Sequence, residues 1–352
     1  MKVHTELLLG KTDPGLREPE VHLDIAKVFG SAAQIESLGF DGVIANETRD
    51  DPFLLLALAA QATERLELAT SVAIAFPRAP AITAMTAWQL QALSGGRFTL
   101  GLGSQVRAHI VRRFGLPASP LGSWMRDYIG AVRAIWACWQ NGTPLQFESE
   151  HYQLDLMSSL FTPGPLEFPD IPIHLAALNP YMCRVAGEVA DGLRPHPVCT
   201  PRYIKEVMQP AVALGAQRAG RDPKQLVVAM RPLVATAPDE ESLQNKISEV
   251  RARVAFYAST PAYRPAFDIW GLDGLARGLS VLAREQRWEE MPGQIDDDVL
   301  NTFAVVGTYD QMAEKIVQRY GDVLTHVGFS IPVENEQEAQ LLKGILQRIQ
   351  QA

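Results

Sequence analysis

Cysteine is scarce: Cys138, Cys183 and Cys199 are the only three in 352 residues. An odd, widely spaced set suits neither a disulfide framework nor a metal site, so reduced thiols and no bound metal are expected. No run of about 18 apolar residues is present to span a bilayer, and the opening Met1-Lys2-Val3-His4-Thr5-Glu6 has no apolar signal core. A cytoplasmic location without membrane contact is therefore expected. Blocks of Lys or Arg are missing too, and the formal net charge is -8 with both signs interspersed. That argues against nucleic acid or an anionic surface as partner and leaves a small molecule. What remains is an ordinary globular composition, 47% hydrophobic and 20% charged, in a chain long enough for one large α/β barrel.

Taken in order, the chain alternates strand-like and helix-like stretches. Residues 3–9 read as a strand, residues 10–20 as a loop, and residues 24–38 as a helix with Ile25, Val28, Phe29, Ala32, Ile35 and Leu38 in period. Gly39 closes that helix, and 42–46 is the second strand. Asp51-Pro52 opens the next helix as cap and first-turn proline. Strands at 66–75 and 97–102 follow, with helices at 79–93 and 125–139. A hairpin at 145–154 and a Pro-rich loop at 162–172 lead to strands at 173–177, 192–196 and 226–234 and helices at 180–190 and 201–219. A strand at 326–332 and a helix at 336–349 close the chain. Eight βα units without a linker predict a single (β/α)8 TIM barrel over residues 1–352, with 239–323 as a long insertion after strand seven. An open doubly wound sheet is the competing architecture.

In a barrel of this kind the site lies at the C-terminal strand ends. Leu93-Ser94-Gly95-Gly96-Arg97-Phe98 runs into Gly101-Leu102-Gly103-Ser104-Gln105, a glycine-rich strand end that lets backbone approach a ligand or simply turns. Asn179-Pro180-Tyr181 opens a helix, either as a phosphate-binding N-terminus or as a plain cap. The small residues Thr70-Ser71-Val72-Ala73 leave room for a flat ring or fit the barrel taper. Glu47 and His109 both follow strand ends and could serve acid–base chemistry or be structural.

Glu36-Ser37-Leu38-Gly39-Phe40-Asp41-Gly42-Val43, the Ser94–Gly103 stretch and Ala186-Gly187-Glu188-Val189-Ala190-Asp191-Gly192 together resemble the bacterial luciferase-like superfamily of flavin and deazaflavin enzymes. Within it, Gly103 to Ile110 and the aromatic Phe256-Tyr257 to Pro265 most resemble the branch that uses coenzyme F420. The resemblance implies a dimeric barrel with the cofactor ring in its mouth. Ser71-Val72 would match a non-proline cis peptide behind the ring, and Gly103, Ser104, Gln105 and His109 the loop lining it. Asn179, Pro180 and Tyr181 match a phosphate-holding segment, although Leu178-Asn179 stands where the family has glycines. Glu47-Thr48 replaces the Asp-His pair of sugar-phosphate dehydrogenases, so that substrate is not implied.

The reaction so implied is hydride transfer between F420 and a small organic substrate, with Glu47 and His109 as the catalytic pair. With FMN instead, the site would suit oxygen chemistry fed by a partner flavin reductase; a flavin-binding protein without turnover is the third reading. Phe256, Tyr257, Tyr263, Phe267 and Trp270 are expected to cap the mouth, or to form core or a dimer surface.

Overall fold

The computed structural model describes residues 1–7 and 23–352; the loop expected at 10–20 and the end of the first strand lie outside them. Eight parallel strands form the centre: β1 (Lys2–Glu6), β2 (Gly42–Ala45), β3 (Glu67–Thr70, resuming at Ala73–Ile74), β4 (Phe98–Gly103), β5 (Ile173–Ala177), β6 (Gly192–Pro195), β7 (Val227–Met230) and β8 (His326–Gly328). Each pairs with its neighbour in sequence, and β8 pairs with β1 at Lys2↔His326, which closes the barrel. The expected (β/α)8 architecture is thus the observed one.

β3 is expected as one strand, but it breaks. Leu68 and Ala69 pair with Phe98 and Thr99 of β4, the ladder stops at Ser71-Val72, and Ala73 resumes it against Leu102. The Thr70 side chain fills the gap: its Oγ1 accepts the Gly101 N–H at 2.8 Å and donates to the Gly101 carbonyl at 2.7 Å. β7 is also shorter than expected. It ends at Met230, and Pro232, which has no N–H to offer a ladder, separates it from Leu233–Ala237. That second piece leaves the barrel and pairs in parallel with Ala304–Thr308, a strand that the sequence reading missed.

The helix at 24–38 begins as a short 3-10 turn and continues as Val28–Leu38, with Gly39 closing it at φ +92°. Val28, Ala32, Ile35 and Leu38 are buried, whereas Ile25 and Phe29, expected on the same face, are exposed. The segment at 239–323 contains the long helix Glu240–Ser259, the helix Asp273–Arg284 and finally Met312–Tyr320, which packs on the closing helix Glu336–Gln350. No described helix is long and apolar enough to cross a membrane.

The three stretches that carry the family resemblance hold the N-terminal end of the barrel. The Glu36 carboxylate accepts the N–H groups of Arg65, Glu64 and Leu66 at 2.7, 3.0 and 3.1 Å. Asp41 accepts from Val3 N–H at 2.7 Å, and Asp191 from Ile173 N–H at 2.9 Å. Arg97 donates to the carbonyls of Leu66, Thr63, Ala60 and Ser94. Each charged group satisfies backbone at a strand start or a helix end that would otherwise stay unpaired. These motifs build the scaffold, on the face where barrel residues serve stability.

Candidate functional site

A cavity of about 790 Å³ opens at the C-terminal strand ends and reaches down between the strands. Every barrel strand contributes to its wall, among them Glu6, Asn46, Ser71, Gly103, Ala177 and His196. One side is formed by bare backbone. The Ser71–Val72 peptide bond is cis, as the resemblance implied, and Gly103 lies against it: a Cβ there would stand 2.6 Å from Val72 Cγ2. Ser104 and Gln105 continue this wall. Gln105 has a positive φ of 61°, uncommon for a residue with a side chain, and its Oε1 accepts the Val106 N–H at 2.9 Å.

Asn179 also lines the cavity, whereas Pro180 and Tyr181 lie beside it. The Asn179 Oδ1 accepts the Met182 N–H at 2.9 Å, so the cap reading of this residue is realised. Proline has no N–H, which leaves Tyr181 as the N–H free to bind an anion at this helix start. Its ring rests where Gly122 leaves space, with the Arg184 guanidinium 5.4 Å from its centroid.

The structure does not bring Glu47 and His109 together as a polar pair. Glu47 lines the cavity, but its carboxylate accepts the Ile74 N–H at 2.6 Å and two bonds from Arg78 Nη1 at 2.8 and 2.7 Å. It fixes the strand that resumes after the cis bond. His109 is exposed on the short helix Arg107–Arg112 and does not reach the cavity wall. Three imidazoles line the cavity, those of His4, His326 and, on the side of the aromatic residues, His196. His196 stacks on Tyr263 at 4.0 Å and meets Tyr257 edge-on at 4.6 Å. The Val198 N–H points to its Nδ1 at 3.4 Å, which leaves the proton on Nε2. Of the five aromatics expected to cap the mouth, Tyr257 and Tyr263 reach the cavity. Phe267 is buried against Phe303, and Trp270 donates to Thr200 Oγ1 at 3.2 Å.

Sequence reasoning missed the barrel interior. Strand alternation turns His4, Glu67, His174, Arg194 and His326 inward, where barrels normally hold branched aliphatics. Glycines on neighbouring and next-but-one strands make the room. A Cβ at Gly42 would stand 2.8 Å from His4 Nε2, at Gly101 3.1 Å from Arg194 Nε, and at Gly192 2.4 Å from the His174 ring. Polar residues two apart (His4 and Glu6, Arg194 and His196) combined with inward glycines were the available signal. Glu67 is held by Lys2, by His4 at 3.1 Å and near His326 at 3.6 Å.

Burial pushes the His174 pKa well below its ordinary value, with Arg194 adding to the effect. Burial likewise lowers His4, and it takes His196 down to about 3. Glu67 lies far below the carboxylate range: burial raises it, but hydrogen bonds from His326, His4 and Lys2 outweigh that. The folded chain thus keeps these imidazoles neutral where the unfolded chain would protonate them. Stability is expected to be full above the unfolded histidine value of about 6.5 and to fall as pH drops through it. For His196 alone, which burial holds at about 3, the loss at pH 5 is about 2 kcal/mol. Glu67 adds to the loss only below about pH 4.5. Urea midpoints at pH 7.5 and 5.0 measure it; a flat profile between them would contradict neutral burial of these rings.

Uncharacterized proteins of Mycobacterium tuberculosis and Mycobacterium bovis are 42% identical to the chain over 303 residues, covering 86% of it and 89% of their own length. The coenzyme F420-dependent tetrahydromethanopterin reductase of Methanopyrus kandleri has a similar fold, with a TM-score of 0.76 at 20% identity, covering 99% of this chain and 98% of that one. So does the oxygenating constituent of 3,6-diketocamphane monooxygenase from Pseudomonas putida, solved in complex with FMN, with a TM-score of 0.70 at 18% identity and coverage of 99% and 97%. The family model for luciferase-like monooxygenases matches residues 4–326, and the chain belongs to that family.

Proposed function

We propose that this chain is an oxidoreductase that moves a hydride between coenzyme F420 and a small organic substrate. The observation that carries the reading is the wall of bare backbone at the barrel mouth. There the cis Ser71–Val72 bond, Gly103 and Ala176 line a slot in which Val72, its Cγ2 against Gly103, is the largest side chain of the four. The residues present fit a flat tricyclic ring. Ser71, Val72, Gly103, Ser104 and Gln105 would hold it, and the Tyr181 N–H with Arg184 nearby would take the phosphate. Bound there, F420 supplies two-electron hydride chemistry.

The chain's own part is to position, to exclude water and to orient the substrate. Tyr257, Tyr263 and His196 wall the slot from the side of the long insertion. His196 stays neutral at physiological pH, so its Nε2–H can donate to a substrate oxygen without placing a charge there. Similarity of sequence to the F420 branch favours the deazaflavin.

Titration with each cofactor tests it. F420 is expected to bind at least about tenfold more tightly than FMN. The reverse order would turn the assignment to an FMN-dependent monooxygenase supplied with reduced flavin by a partner reductase. Binding of neither would overturn the reading.

A further inference from the structure

Arg194 lies deep in the cavity, 7% exposed, at an inward position of β6. Its Nη1 donates to Ser71 Oγ at 3.2 Å, and its buried Nε has no partner. No carboxylate among the described residues pairs with it. The neighbouring imidazoles are no substitute, since His4 and His174 are held neutral and offer no negative charge. Nor does any group offset the effect of burial on the guanidinium, which pushes its pKa down to about 10.

A buried, unpaired charge is costly, and this one has been given space: Gly101 lies opposite Arg194 Nε. The guanidinium reaches Ser71, one of the two residues of the cis bond, from inside the barrel, so its charge lies at the base of the proposed slot. Accepting one hydride, which is two electrons and one proton, makes a bound group one unit more negative than before. The oxidised form lacks that charge.

We propose that Arg194 is the counter-charge for the reduced cofactor, a positioning and tuning residue that binds the reduced ring more tightly than the oxidised one. The inference rests on the reading under Proposed function, and it predicts a difference between redox forms that a packing role would not produce. Once paired, the guanidinium would also gain the partner that its Nε lacks.

The test is binding and potentiometry on the full chain with F420, and with FMN if FMN is the tighter ligand. In the wild type the reduced form is expected to bind at least about tenfold more tightly than the oxidised form. That raises the bound midpoint potential above that of the free cofactor by about 30 mV for a two-electron couple. R194M and R194Q should remove this difference while changing the affinity for the oxidised form by less than about threefold. A wild-type midpoint at or below the free value overturns the proposal without any variant. Equal weakening of both redox forms in R194M and R194Q overturns it as well, since that is loss of packing. Failure of the wild type to bind either cofactor removes the functional reading itself, and this inference with it; the titration of the unmodified chain separates that case from the others.

Discussion

Gly101→Ala is expected to destabilise the fold by about 3 kcal/mol or more, the largest effect of an added methyl group at any glycine of the barrel strands. The new Cβ would stand 1.9 Å from the Thr70 carbonyl oxygen and 3.1 Å from Arg194 Nε. The first neighbour is backbone, at the point where β3 leaves its ladder and where Thr70 Oγ1 clasps the Gly101 amide. No rotamer change relieves that clash; the strand must move. Gly103→Ala, two residues on, is the informative partner. Its Cβ would meet Val72 Cγ2 at 2.6 Å, a side-chain methyl group that can shift into the cavity. A smaller stability loss is therefore expected there, with cofactor affinity reduced by about tenfold or more. Urea unfolding and cofactor titration of both variants check the pair. A Gly101→Ala protein within about 1 kcal/mol of the parent would show that the β3–β4 approach is looser than described.

Removing either Glu47 or Arg78 should cost about 3 kcal/mol. The two side chains are 15% and 21% exposed and make a 2.7 Å ion pair. Glu47→Ala also strands the Ile74 N–H, while Arg78→Ala leaves the Glu47 carboxylate half-buried without its counter-charge. Asp51 tempers the first change, since it keeps a 2.9 Å bond to Arg78 Nη2. The double variant is expected to be more stable than the sum of the two losses by about 1 kcal/mol or more, the mark of groups that act together. Additive losses would mean that the pair is incidental. A catalytic carboxylate would behave differently, losing turnover with the fold intact.

The architecture was legible because each βα unit announces itself twice, by an apolar run and by a capped helix. Asp51-Pro52 and Gly39 did their expected work at helix ends. Ser71-Val72 was also found, through resemblance and not through any local pattern, because nothing in Thr-Ser-Val-Ala specifies a cis bond. The differences share a cause. Glu47 and His109 are singled out by position along the chain, and position after a strand says nothing of which way a side chain turns. Glu47 turned to the Ile74 amide and Arg78, and His109 to solvent. Arg194 and His174 escape notice because a single polar residue in an apolar strand looks like noise until the glycine of a nearby strand is set beside it. Strand seven was overextended because Leu226 to Val234 is apolar on both sides of Pro232, and hydrophobicity alone does not tell which sheet a strand joins.

The division of labour between the two ends of the barrel bears on how kinship is read. Glu36, Asp41, Arg97 and Asp191 are the chassis, fastened beneath a workshop whose proposed tools are His196, Tyr257 and Tyr263, which line the cavity. A match keyed to the fastenings retrieves every machine built on that chassis, whatever it turns over. Two chains can agree in all four fastenings and share no customer. Ancestry is written at the bottom of this barrel and trade at the top, so substrates should be inferred across relatives only where the tools match.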